Sequence, residues 1–76
     1  MLIDEVEKNK KEKICISVDE FKGFRFCDVR VYFINPSGEW KPTKKGITFN
    51  ADNIDEIIDI LKEASKELHS RGITKS

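Results

Sequence analysis

Between Lys13 and Ile34 apolar side chains recur at every second position in two runs, Ile14, Ile16 and Val18, then Cys27, Val29, Val31 and Phe33. A period of two buries one face of an extended strand and cannot line one side of a helix, so the runs are expected strands, over residues 13–20 and 24–34. Between them stands Phe21–Lys22–Gly23, where glycine supplies the backbone freedom of a tight connection and makes the strands antiparallel neighbours. In the second strand Cys27, Val29, Val31 and Phe33 read as a core face, and Phe26, Asp28, Arg30 and Tyr32 as a working face.

The next segment carries this pattern on. Asn35–Pro36–Ser37–Gly38 has the residue order of a type I turn. A short strand over 39–41 then meets Pro42, which lacks a ladder donor and belongs at an edge, a bulge or a bend. The loop Pro42–Gly46 precedes a last short strand over 47–49, making four antiparallel strands in meander order. Asn50 is an expected N-cap, with Asp52 and Asp55 in the first turn where the helix dipole favours acids. The helix should end near Leu68 or His69, before Gly72. The expected class is α+β, a curved four-stranded β-meander followed by one C-terminal α-helix (ββββα). Residues 1–12 read as a flexible arm that docks Leu2 and Ile3 on the sheet, 13–69 as the folded domain and 70–76 as a tail.

A 76-residue chain buries only about 60% of the surface its unfolded form exposes. Its two cysteines and lone histidine supply neither a disulfide framework nor a metal site, which leaves oligomerisation as the supplement. Ile54, Ile57, Ile58, Leu61, Ala64 and Leu68 form a stripe on the helix that Ile60 widens to about 160°, where docking on one sheet needs about 100°. Either a second copy covers the surplus, with Ala64 and Ser65 allowing close helix approach, or the helix sinks deeper into its own sheet. A homodimer is expected, its interface built on Ile54, Ile57, Ile58, Leu61, Ser65 and Leu68.

Enzymatic chemistry is not expected. His69 lies at the helix C-terminus, where it suits the dipole, and Asp52, Asp55, Glu56 and Asp59 cluster only through helical spacing. No phosphate-binding glycine loop or nucleophile signature is present, and neither metal nor cofactor is expected. Cys15 and Cys27 fall on adjacent strands without being directly opposed, which favours two free thiols over a redox pair. The chain contains no apolar run of membrane-spanning length, and Asp4 and Glu5 interrupt any signal-peptide core, so an intracellular protein is expected, in cytoplasm and nucleoid or in a nucleus according to its source.

Formal net charge is zero, but it is unevenly distributed. Residues 13–48 carry seven bases and four acids, and residues 49–68 two bases and six acids. Such a bipolar chain can meet a polyanion on one side while the other stays solvated. The basic part also carries Phe21, Phe24, Phe26, Tyr32, Phe33 and Trp40 among Lys22, Arg25, Arg30, Lys41, Lys44 and Lys45. Rings that stack bases beside cations that neutralise phosphates are the parts of a single-stranded nucleic-acid platform. The same rings are also compatible with packing, or with a docking surface for a protein partner, and nothing selects DNA over RNA by reading a 2′-hydroxyl.

Residues Ile16–Gly23 (ISVDEFKG), then Asp28–Phe33 (DVRVYF) and Asn35–Asn50 (NPSGEWKPTKKGITFN), leading into an amphipathic helix, resemble the C-terminal domain of the positive cofactor 4 family of transcriptional coactivators. The resemblance covers residues 14–68. It implies a homodimer of curved sheets that binds single-stranded or unwound DNA with little sequence preference, in transcription, replication, recombination or repair, with transcription or replication proteins as further partners. It further implies that Phe21 and Lys22 contact DNA, that Arg30 grips phosphate, that Phe33 stacks a base where the family commonly has Trp, and that Lys41, Lys44 and Lys45 line the groove. Phe24 stands at a commonly basic position, for which Arg25 can compensate, and Trp40 replaces an aliphatic residue and supplies a large ring. Simple alternation, however, sends Phe33 to the core face. A bulge between Arg30 and Phe33 would reverse the phase; without one, Tyr32 becomes the stacking candidate.

Overall fold

The computed structural model describes residues 1–70. Strands β1 (Leu2–Asn9), β2 (Glu12–Phe21), β3 (Phe24–Ile34) and β4 (Trp40–Asn50) form one antiparallel sheet in the order β1-β2-β3-β4, and helix α1 (Ile54–Ser70) follows. The class is therefore the expected ββββα, with its strands distributed differently.

Residues 2–9, expected as an arm, form the edge strand β1. Three apolar residues are few, but β2 supplies a template: Glu5 pairs with Cys15, Val6 with Ile14 and Glu7 with Lys13. The turn into β2 is held by Asn9, whose Oδ1 accepts from the Lys11 backbone at 2.9 Å while its Nδ2 donates to Glu12 Oε1 at 2.8 Å. The two short strands expected at 39–41 and 47–49 are one strand, β4. Its register jumps from Arg30↔Gly46 to Tyr32↔Pro42, so residues 43–45 bulge opposite Val31. Thr43 stitches the bulge closed: its Oγ1 donates to the Val31 carbonyl at 2.7 Å and accepts from the Lys45 backbone at 3.1 Å. A bulge that satisfies its own polar groups extends the strand instead of ending it.

The other connections follow local chemistry. Lys22 (φ 54°) and Gly23 (φ 85°) are both left-handed, as a two-residue type I′ hairpin requires, and Phe21 pairs directly with Phe24. Asn35 Oδ1 accepts from the backbones of Ser37 and Glu39, both at 2.9 Å, and Gly38 takes the left-handed position at φ 84°. Asn50 caps a turn and not the helix: its Oδ1 accepts from Asp52 and Asn53, and the first helical bond runs from the Ile57 N–H to the Asn53 carbonyl. The helix accordingly begins at Ile54, with Asp55 and Glu56 in its first turn, and continues past the expected end to Ser70. Gly72 and the rest of the expected tail lie outside the described residues.

Burial is sparse. Among the described residues only Cys15 is buried. The chain exposes 6375 Å², whereas a compact monomer of this mass exposes about 4,800 Å². The helix does not sink into its own sheet: none of its residues is buried, Ile54 and Ile57 are half-buried, and Ile58, Ile60, Leu61 and Leu68 are exposed. Cys15 lies opposite Arg30 and Cys27 opposite Val18, on opposite faces of the sheet, and both thiols are free.

Candidate nucleic-acid interface

Cross-strand partners share a sheet face, so the register sorts every candidate side chain. One face carries Lys13 beside Tyr32, Cys15 beside Arg30, Ser17 beside Asp28 and Phe21 beside Phe24, and β4 adds Gly46, Pro42 and Trp40 opposite Arg30, Tyr32 and Ile34. The reverse face is apolar along its middle, with Ile14, Ile16, Val18, Cys27, Val29, Val31, Ile47 and Phe49. Its ends carry Arg25 beside Glu20 and Phe33 between Glu12 and Lys41. Of the ten residues expected at DNA, Phe21, Arg30, Tyr32 and Trp40 share the polar-aromatic face. Arg25, Phe33 and Lys41 occupy the reverse face, Lys22 the hairpin turn, and Lys44 and Lys45 the bulge. The conflict over Phe33 resolves here, because the bulge belongs to β4. Strand β3 pairs with β2 without interruption from Phe24 to Phe33, so its phase never reverses and Tyr32, not Phe33, shares the side of Arg30.

Arg30 is held rigidly. Its Nε and Nη2 donate to the two oxygens of Asp28 at 3.0 and 2.9 Å, and Nη1 donates to the Thr43 carbonyl at 2.9 Å. These bonds to the Asp28 carboxylate, and its charge, push the Arg30 pKa further up. The planar fork is thus aimed by two strands, with N–H groups to spare for an incoming acceptor. Gly46 makes that pose possible, since a Cβ there would stand 2.8 Å from the Val29 carbonyl oxygen and 2.9 Å from Arg30 Cζ. Thr43 and Gly46 are site residues that sequence reasoning missed, and Asp28, placed on the working face, was not recognised as the partner of Arg30. Glycine inside a strand was the available signal, marking close approach of another group.

The rings are accessible. Phe21 is 65% and Phe24 77% exposed at the β2–β3 hairpin, and Lys22 Nζ lies 5.3 Å from the Phe21 ring centroid. At the far end Lys13 Nζ sits 4.5 Å from the Trp40 centroid and 2.9 Å from Glu5 Oε1. Lys13 was also missed, because its role depends on β1 and β4 meeting across β2 and β3. Hydrogen bonds from Asn9 and Lys8, then the charge of Lys8, hold the Glu12 carboxyl below its usual range. Burial raises the Cys15 thiol.

The yeast RNA polymerase II transcriptional coactivator SUB1 (Saccharomyces cerevisiae) is 37% identical over 57 residues, which are 74% of this chain but 18% of that protein. The chain thus spans less than a fifth of its yeast relative. The structure of BPSL1147, a PC4 homolog from Burkholderia pseudomallei K96243, superposes with a TM-score of 0.82 at 31% identity, covering 88% of this chain and 90% of that one. MoSub1, solved in complex with DNA, gives a TM-score of 0.60 at 32% identity, covering 96% and 90% of the two chains. Residues 8–60 match the family described as Transcriptional Coactivator p15 (PC4). By that match, which spans most of the sheet and the first turns of the helix, the chain belongs to this family of transcriptional coactivators.

Proposed function

We propose that this chain binds single-stranded DNA as a homodimer, with little sequence preference, and acts on unwound DNA in transcription, replication, recombination or repair. The observation that carries the reading is the polar-aromatic face: exposed Phe21 and Phe24 at one end, half-buried Tyr32 and exposed Trp40 at the other, with Arg30 fixed between them. A strand laid along it would stack bases on the end rings and place phosphate at the Arg30 fork, with Lys22 and the bulge residues Lys44 and Lys45 alongside. MoSub1, a relative at 32% identity, is solved with single-stranded DNA, which supports the same ligand class here. Arg25, Phe33 and Lys41 would reach that strand only around the sheet's edge. Tyr32 is therefore the stacking ring beside Arg30.

The uncovered apolar surfaces support the dimer. Among the described residues none of the apolar side chains on the reverse face of the sheet or on the helix is buried, and Ile47, Ile58, Leu61 and Leu68 are exposed; a second copy presents the same surfaces. Ile54, Ile57 and Ser65 would lie at its margin.

Fluorescence anisotropy with labelled oligo-dT and the matching duplex tests the ligand. The expected result is preferential binding of the single strand, with log affinity falling against log salt at a slope of about −3.5 for about five phosphates neutralised. Equal or tighter duplex binding overturns the proposal.

A further inference from the structure

Trp40 is the only tryptophan in the chain, and its ring is already engaged. The Lys13 ammonium that lies 4.5 Å from its centroid also donates to Glu5 at 2.9 Å. Lys13 is cross-strand partner to Tyr32, two positions from the Ile34–Trp40 pair, so the phenol and the indole border one cleft. That cleft, of about 370 Å³, is walled by Tyr32, Trp40, Lys13, Glu5, Asp28 and Cys15, among others. A neighbouring depression of about 440 Å³ shares Glu5, Lys13 and Trp40 and adds Glu7 and Glu12. The cations here are matched by acids, Lys13 by Glu5 and Arg30 by Asp28.

An aromatic cleft rimmed by carboxylates favours a base over a phosphate as the group that enters it. It suits a base that stacks on a ring and offers N–H donors at its edge. An exocyclic amino group is such a donor, and a carboxylate accepting from cytosine N4 is an established pairing. Thymine presents a carbonyl oxygen at the corresponding position, which a carboxylate repels. One face of the Trp40 ring is covered by Lys13. A backbone phosphate competes directly with Glu5 for that ammonium, because both are oxyanions. When the ammonium turns to phosphate, the indole face is uncovered and the Glu5 carboxylate is freed to accept.

Building on the single-stranded DNA reading above, we propose that the Trp40–Tyr32 cleft is a base subsite that favours cytosine over thymine, gated by Lys13 and read by Glu5. Binding there is an exchange of partners: Lys13 passes from Glu5 and Trp40 to phosphate, and the base takes its place on the indole and on the carboxylate. The subsite adds a local preference to a surface that is otherwise sequence-tolerant.

The test uses the whole chain with labelled oligo-dC and oligo-dT of equal length at neutral pH, followed by anisotropy and by Trp40 fluorescence. Oligo-dC should bind about fivefold tighter than oligo-dT, the low end of one amino–carboxylate contact, and should quench Trp40. Glu5→Ala changes an exposed edge-strand residue. It should reduce the preference to less than about twofold while leaving oligo-dT affinity equal or higher, since an acid has been removed. Lys13→Met should lower the salt slope by about 0.7, one phosphate contact, with Trp40 quenching retained. Equal affinities in the unmodified protein, or a preference that survives Glu5→Ala, overturn the subsite and leave the single-strand reading standing. Failure of both oligonucleotides to bind overturns both.

Discussion

Replacing Gly46 by Ala tests whether the site's central arginine is held by shape. The added methyl would lie 2.8 Å from the Val29 carbonyl oxygen, 2.9 Å from Arg30 Cζ and 3.0 Å from Arg30 Nη1. Val29 O belongs to the β3 backbone, so β4 must move away from it, and the guanidinium must also yield its place over Gly46. Either adjustment disturbs the bonds to Asp28 and to the Thr43 carbonyl. Overpacking of this kind costs about 1–3 kcal/mol. For a chain of this size each kcal/mol lowers the melting temperature by about 4–8 °C, so the expected fall is about 4–24 °C. Gly38→Ala is the matched control, since it has nothing within 4 Å of the new methyl but a φ of +84°, and its penalty is conformational alone, about 1 kcal/mol. Melting followed by far-ultraviolet circular dichroism at one fixed protein concentration compares the two. Gly46→Ala should melt lower than Gly38→Ala and bind single-stranded DNA more weakly, whereas Gly38→Ala should bind as the parent does. A Gly46→Ala protein that melts with the parent would refute the steric account of Arg30.

Tyr32→Ala should weaken oligo-dT binding by about 1–3 kcal/mol, one stacked base, and by more than Phe33→Ala does, because only Tyr32 shares the Arg30 face; the reverse order in anisotropy titrations would return the role to Phe33. Ile58→Glu puts a charge on the exposed helix stripe, and sedimentation should find the parent dimeric and the variant folded and monomeric; a folded variant of the parent's mass would refute an interface on this stripe. Glu12 has a folded pKa below its ordinary 4.5, so the stabilisation it lends the β1–β2 turn is present above that value and is lost as pH falls through the lowered one. The Lys11 amide, which donates to Asn9 Oδ1, should therefore lose protection, taken relative to its intrinsic exchange rate at each pH, on acidification, and in Glu12→Gln that pH dependence should disappear.

Much of the candidate site was legible because strand periodicity is local. The alternation of Val29, Val31 and Phe33 against Arg30 and Tyr32 is written in adjacent residues, and the pairing of β2 with β3 preserves it without a break. The resemblance identified the family and implied its ligand class, but its assignment of Phe33 to DNA required a phase reversal in β3 that the bulge, being on β4, does not supply. Asp28, Thr43 and Gly46 escaped notice as a unit because they come from two strands and meet only through the Arg30 side chain. Lys13 escaped for the same reason, its partners lying on β1 and β4.

From the sequence alone came the class, the two central strands with their faces, both glycine turns and an amphipathic helix with more apolar width than one sheet needs. These depend on side-chain period and on backbone preferences that act within a few residues. Three things were decided only by tertiary structure. The first twelve residues contribute a strand because β2 offers an unpaired edge, whereas their own apolar content is too low to predict one. Residues 40–50 run as a single strand because Thr43 satisfies the bulge through hydrogen bonds to β3 and within β4. The rigid pose of Arg30 and the cover over Trp40 arise where separate strands converge, and such contacts have no period for a sequence to display.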